Sequence, residues 1–183
     1  MSSLLIRTDE LCKIKSGSER TSFWLRFLAL RHLVLVERQL IICQIKRDKT
    51  FHLRNSKKLH VEIQGDNINI SADKDKMNQV VINLLNNAIK FTQKEGTIKF
   101  SISKNKDHVL LIVEDNGIGI EKDQQLHIFD RFYMADPSRS RALGGQGIGL
   151  AIVKSVVEAH KGSITVKSKL GLGTKFVIKL PFQ

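Results

Sequence analysis

Between residues 78 and 92 apolar side chains recur every three or four positions: Val80, Val81, Leu84, Leu85 and Ala88. That period predicts one helix with a buried stripe, starting after Asp73 as N-cap and running to about Phe91. Its other face is unusual. Asn83 and Asn87 lie four apart and Lys90 follows three later, so the three are surface neighbours. Asparagine is a poor helix former, at roughly 0.5 kcal/mol per residue. A solvated polar patch is the plain reading, and a ligand for the amides is the sharper one.

A second apolar stripe, Ile152, Val153, Val156 and Val157, predicts a helix over 150–160, ended by Lys161-Gly162. Alternating positions predict strands. Residues 59–63 and 68–70 flank the turn Gly65-Asp66-Asn67 and read as a hairpin. Residues 96–103 and 108–114 read as an antiparallel pair, and so do 163–169 and 175–180, with Pro181 closing the last strand. A short helix is expected over 122–130 and a mobile loop over 131–149, where Pro137, Ser138, Ser140 and several glycines gather. Residues 1–17 read as the end of an amphipathic helix (Leu4, Leu5, Thr8, Leu11, Ile14), stopped by Ser16-Gly17-Ser18. Residues 18–58 are ambiguous: Leu25, Leu28, Leu33, Val36 and Leu40 suit a helix, and Leu33–Val36 also suits a strand. The region is read as helical.

With 183 residues and 42% hydrophobic content, the chain can bury the core of one ordinary domain. The formal charge of +12 is concentrated early: residues 1–60 carry 13 Lys and Arg against 5 Asp and Glu. The positive residues are scattered, which favours a solvated basic surface over a nucleic-acid site. Residues 1–10 lack the pattern of a signal peptide, and residues 23–45 are interrupted by Arg26, Arg31, His32, Glu37 and Arg38. No membrane span is expected, and a cytoplasmic location is. Cys12 and Cys43 match no metal spacing.

Two glycine clusters carry candidate chemistry. Asp115-Asn116-Gly117-Ile118-Gly119-Ile120 follows a strand. Its glycines permit a sharp turn and close approach of a flat ring. The Asp115 carboxylate, an acceptor only, suits an exocyclic amino group. A plain loop with a capping Asp is the alternative. Gly144-Gly145-Gln146-Gly147-Ile148-Gly149-Leu150 opens directly into a helix, where free N–H groups attract phosphate. The Gly-Lys-Ser/Thr ending of a Walker loop is missing, and a glycine-rich hinge is the alternative. Between the clusters, Ile128-Phe129-Asp130-Arg131-Phe132-Tyr133 sets aromatics around an arginine able to grip phosphate.

The order is polar helix, Asp-x-Gly-x-Gly, Phe-x-Arg-Phe, Gly-x-Gly-x-Gly, then Gly-x-Gly-Thr at 171–174. It resembles the ATP-binding domain of sensor histidine kinases over about residues 59–183, and as a set the motifs are highly specific. The resemblance implies an α+β fold: a two-layer α/β sandwich of Bergerat type, its mixed, mostly antiparallel sheet covered on one face by helices. It implies ATP and Mg2+ as cofactors. Asn87 would be the metal ligand, with Asn83 supporting or sharing it, and Lys90 would meet phosphate. Asp115 would read the adenine amino group, with Gly117, Gly119 and Ile120 shaping the pocket and Thr174 beside the adenine. Phe129 and Phe132 would anchor a lid formed by residues 134–146, with Arg131 near the terminal phosphates and Tyr133 alongside. Gly145, Gly147, Ile148, Gly149 and Leu150 would hold the triphosphate. Gln146 replaces the Thr or Ser frequent in this box.

The family's phosphoacceptor motif, His-Glu/Asp-x-x-x-Pro, is missing: His32 is followed by Leu-Val-Leu-Val, and the only prolines are Pro137 and Pro181. Residues 1–18 resemble the end of the second helix of the dimerisation hairpin. Residues 19–57 match the family poorly as a lead-in, and 58–183 would be the catalytic domain. The expected partners are therefore a histidine-containing dimerisation domain outside this chain and a response regulator, with a parent kinase that can be membrane-bound. A fragment, a trans-acting kinase and a degenerate copy all fit. Two other functions stay open: an ATP hydrolase of the same superfamily, and a non-catalytic binding module. Hydrolases there use a general-base Glu at the position of Asn83, and an amide cannot take that proton.

Overall fold

Alternation along five segments builds one sheet, and two apolar helix stripes cover it. A computed structural model describes residues 33–36, 56–65, 68–136 and 146–181. In chain order the elements are β1 (Leu33–Val36), β2 (His60–Gly65), β3 (Ile68–Ser71), α1 (Lys74–Phe91), β4 (Thr97–Lys104), β5 (His108–Asp115), a 3₁₀ turn (Gln124–Leu126), α2 (Gly149–Ala159), β6 (Ser163–Lys169) and β7 (Gly173–Pro181). The five-stranded sheet has the order β2-β4-β5-β7-β6, and β1 pairs with β3 in a separate two-stranded sheet. Only β2 against β4 is parallel; the pairs β4–β5, β5–β7 and β6–β7 are antiparallel. Parallel neighbours need a crossover connection, and α1 lies in it.

One sheet face is apolar. Ile98, Phe100 and Ile102 of β4 lie in register with inward-facing residues of β5 and β7, among them Val113, Phe176 and Ile178. Against this face pack Val80, Leu84, Leu85 and Ala88 of α1 and Val153 and Val157 of α2. The expected α+β sandwich with a mixed, mostly antiparallel sheet is what forms. The opposite face carries the ion pairs Lys99–Glu62 and Lys175–Glu114.

Both ends of α1 are fixed. Asp73 accepts from the N–H groups of Asp75 and Lys76, which draw its carboxyl below the ordinary range. At the other end the Lys57 ammonium donates to the carbonyls of Ile89, Lys90 and Thr92 at 2.7–2.9 Å, neutralising the negative end of the helix dipole.

Three expectations are corrected. The hairpin over 59–70 does not form, because β2 pairs with β4 and β3 with β1. Alternation marks a strand without naming its partner, and at Gly65 (φ +114°) the chain leaves β2 so close to β4 that a Cβ would lie 2.0 Å from the Ile102 carbonyl. Residues 33–36, read as helical, are a strand whose partner, β3, lies more than thirty residues away. The expected helix over 122–130 shrinks to a 3₁₀ turn. The predicted helix ending near residue 17, residues 18–32 and 37–55, Gly145 and most of the predicted lid lie outside the described residues.

Candidate functional site

A cavity of about 510 Å³ opens between α1, α2 and the sheet. Asn83, Asn87 and Lys90 line it from the helix face beside the buried stripe. Gly147, Ile148, Gly149 and Leu150 line it from the start of α2. Asp115, Gly119, Ile120, Thr174 and Phe176 line it from the sheet and the loop after β5, and Tyr133 to Asp136 from the root of the predicted lid.

The two helices approach closely here: a Cβ on Gly149 would lie 3.6 Å from Asn83 Oδ1. Asn83 Nδ2 is buried without a hydrogen-bond partner, an unmet demand that costs about 1–3 kcal/mol. The N-cap residue of α2, Ile148, makes no side-chain cap, and the N–H groups of a helix start attract anions. Asn83, Lys90 and the start of α2 all line this cavity, which can therefore meet an anion.

Asp115 lines the cavity from the sheet. It closes β5, opposite Thr174 of β7, and only 8% of it is exposed. Burial raises its carboxyl to about 6, against the lowering pull of the Gly117 and Thr174 backbone N–H groups; the Gly117 N–H lies 2.9 Å from Oδ1. Gly117 itself does not line the cavity. It lets the loop pass α1, since a Cβ there would come within 2.5 Å of the Phe91 carbonyl. Gly119 (φ +72°) meets the Lys169 carbonyl in the same way.

The Phe-x-Arg-Phe segment behaves differently from expectation. Phe129 does not line the cavity; it packs edge-on against Phe176, with ring centroids 6.4 Å apart. Phe132 is 70% exposed, so its ring anchors nothing within the described residues. Its backbone does the holding: Phe132 N–H donates to the Gly147 carbonyl at 2.8 Å, and a Cβ on Gly147 would strike the Phe132 backbone. Arg131 is exposed and does not line the cavity. Asn86, Phe91, Ile118, Ile128 and Ile152 line it without having been given a site role. Their apolar members read in sequence as ordinary core.

Among the described residues no cluster of His, Cys, Asp and Glu could hold a metal. The amide oxygens of Asn83 and Asn87 are hard donors that suit Mg2+, but they carry no charge. The orphaned Asn83 amide, which a half-turn converts from donor to acceptor, fits a metal arriving with anionic phosphate oxygens.

Residues 72–183, more than half of the chain, match the family described as histidine kinase-, DNA gyrase B- and HSP90-like ATPases. The chain is 44% identical over 111 residues to the sensor protein SrrB of Staphylococcus aureus, covering 61% of this chain and 19% of that protein. It is 41% identical over 134 residues to the sensor histidine kinase WalK of Bacillus subtilis, covering 70% of this chain and 22% of WalK. The chain thus spans about a fifth of the length of these curated relatives. Among solved structures it superposes on a mycobacterial sensor histidine kinase, MprB, with a TM-score of 0.69 and 26% identity, over 83% of this chain and 97% of that one. Full-length ShkA in complex with AMPPNP gives 0.68 and 27%, over 83% and 31%. Matched along its motifs and its fold, the chain belongs to the histidine kinase-, gyrase B- and HSP90-like ATPase family, as an ATP-binding catalytic domain of the sensor histidine kinase type.

Proposed function

We propose that the chain binds Mg2+–ATP in this cavity and transfers the γ-phosphoryl group to a histidine on a dimerisation domain outside it. The observation that carries the reading is the polarity of the cavity. A buried carboxylate lines it from the sheet, and an orphaned amide, a lysine and the start of α2 line it from the helices. Adenine would sit at Asp115 and Thr174, its amino group donating to the carboxylate. The triphosphate would lie along the start of α2, at Gly147, Ile148, Gly149 and Leu150, with Lys90 offsetting charge. Asn87 and Asn83 would hold Mg2+, which supplies charge neutralisation on the phosphates. Arg131, two residues before the cavity-lining Tyr133, is proposed to reach the terminal phosphates when residues 134–146 close. Phosphoryl transfer asks a protein chiefly for positioning and electrostatic stabilisation, and these residues supply both.

We propose a response regulator as downstream partner and a cytoplasmic site of action, a reading that the likeness to sensor kinases supports. The histidine acceptor, rather than water, is favoured by Asn83, which cannot act as general base. Calorimetric titration with Mg2+–ATP tests the pocket: Asn87→Ala and Asp115→Ala are each expected to weaken binding at least tenfold, about 1.4 kcal/mol. Unchanged affinity in both refutes the reading. Radiolabelled ATP with an added dimerisation hairpin tests the transfer, with label expected on the hairpin.

A further inference from the structure

Ser168 lies at the end of β6 behind the adenine end of the cavity, outside every motif considered above. Its Oγ has three neighbours. The Ile120 N–H donates to it at 2.8 Å. It lies 2.8 Å from the Gly173 carbonyl and 2.9 Å from Thr174 Oγ1. A hydroxyl has one proton and two lone pairs, and this fixes every direction. An N–H can only donate and a carbonyl can only accept, so one Ser168 lone pair receives Ile120 and the single proton goes to Gly173. The contact with Thr174 therefore has one solution: Thr174 donates. Thr174, 6% exposed and lining the cavity, then directs its proton to Ser168 and not into the cavity. It offers lone pairs alone, directly across the ladder from the Asp115 carboxylate.

We infer that Ser168 is a specificity-determining residue: by holding the Thr174 proton it makes the Asp115–Thr174 pair acceptor-only, so that this pair takes a 6-amino purine and rejects a 6-oxo purine. Ser168 touches no ligand and acts as a positioning residue through Thr174. The surrounding structure keeps it in place. Gln125 Nε2 donates to both the Ile120 carbonyl (2.9 Å) and the Ser168 carbonyl (3.0 Å), tying the loop after β5 to the end of β6. An amino group brings two hydrogens to this acceptor pair. A carbonyl at the same position faces lone pairs and leaves buried acceptors unmatched, the kind of mismatch that gives strong discrimination.

The inference rests on the adenine reading of Asp115, and the test separates the two. The full chain is titrated with Mg2+–ATP and with Mg2+–inosine triphosphate. The latter carries a carbonyl and a ring N–H where adenine carries an amino group and a bare nitrogen. The unsubstituted chain is expected to prefer ATP. Ser168→Ala frees the Thr174 proton to turn toward a carbonyl, so the ATP-to-inosine ratio narrows about tenfold, the scale of one hydrogen bond. Thr174→Val, which deletes the hydroxyl, should narrow the ratio independently. General loosening of the fold would weaken both nucleotides equally and leave the ratio where it was. ATP binding with an unchanged ratio in the two variants overturns this inference alone. Absence of ATP binding by the unsubstituted chain removes the adenine reading and the inference with it.

Discussion

Asp115 shows how one residue's surroundings set its chemistry. Its carboxyl titrates near 6 instead of the reference 3.8, because burial penalises the charged form more than two backbone N–H groups favour it. The sign follows directly. Below about pH 4 the group is protonated in the folded and unfolded chain alike and costs nothing. Between pH 4 and 6 the unfolded chain releases its proton while the folded chain keeps it. The ligand-free protein should therefore lose up to about 3 kcal/mol of stability across that window. Urea unfolding at pH 4 and pH 7 should show this loss, and Asp115→Asn should abolish it. Binding runs the other way: an amino donor favours the carboxylate, so ATP affinity should fall as pH drops through 6. Calorimetry from pH 5 to 8 should give a slope for the native chain and a flat line for Asp115→Asn. The sequence shows that Asp115 is an acceptor beside two glycines; its altered titration depends on neighbours drawn from β5, β7 and the intervening loop.

At the scale of elements, α1 illustrates what periodicity conveys. Its cap, length and buried stripe were all legible, since they depend on residues within one helix. The Lys57 cap was not, because it spans more than thirty residues and Lys-Lys pairs are common on surfaces. Charged hydrogen bonds contribute about 1.5–3 kcal/mol each in favourable settings. Three sharing one ammonium add less than their sum, so Lys57→Met should cost about 2 kcal/mol, read as a lower urea midpoint. The strands show the same division. Local antiparallel pairs, β4–β5 and β6–β7, were read correctly because a short turn dictates the partner. The false hairpin over 59–70 arose where the true partners, β4 and β1, lie far along the chain.

For the whole molecule, the cavity joins both helices to the sheet, so ligand binding and folding are linked. Nucleotide held by the folded chain alone should raise its unfolding free energy by about 2.7 kcal/mol at a hundredfold excess over Kd. A thermal melt with and without Mg2+–ATP measures this. Asn87→Ala should largely remove the increment while leaving the ligand-free melting temperature little changed, because Asn87 lies outside the buried stripe.

The sequence by itself determined the motif set and its order, on which the family resemblance and the site roles it implies rest. It did so because two helical periods and two glycine clusters are local patterns. Only the tertiary structure decided how they combine. It left the Asn83 amide unsatisfied beside Gly149, tied the Phe132 backbone to Gly147, and kept Arg131 and Phe129 off the cavity wall. It also placed Ser168 where hydrogen-bond counting fixes the Thr174 proton. Those outcomes depend on which strands are neighbours and how closely backbones approach, and long-range pairing leaves no periodic trace in the chain.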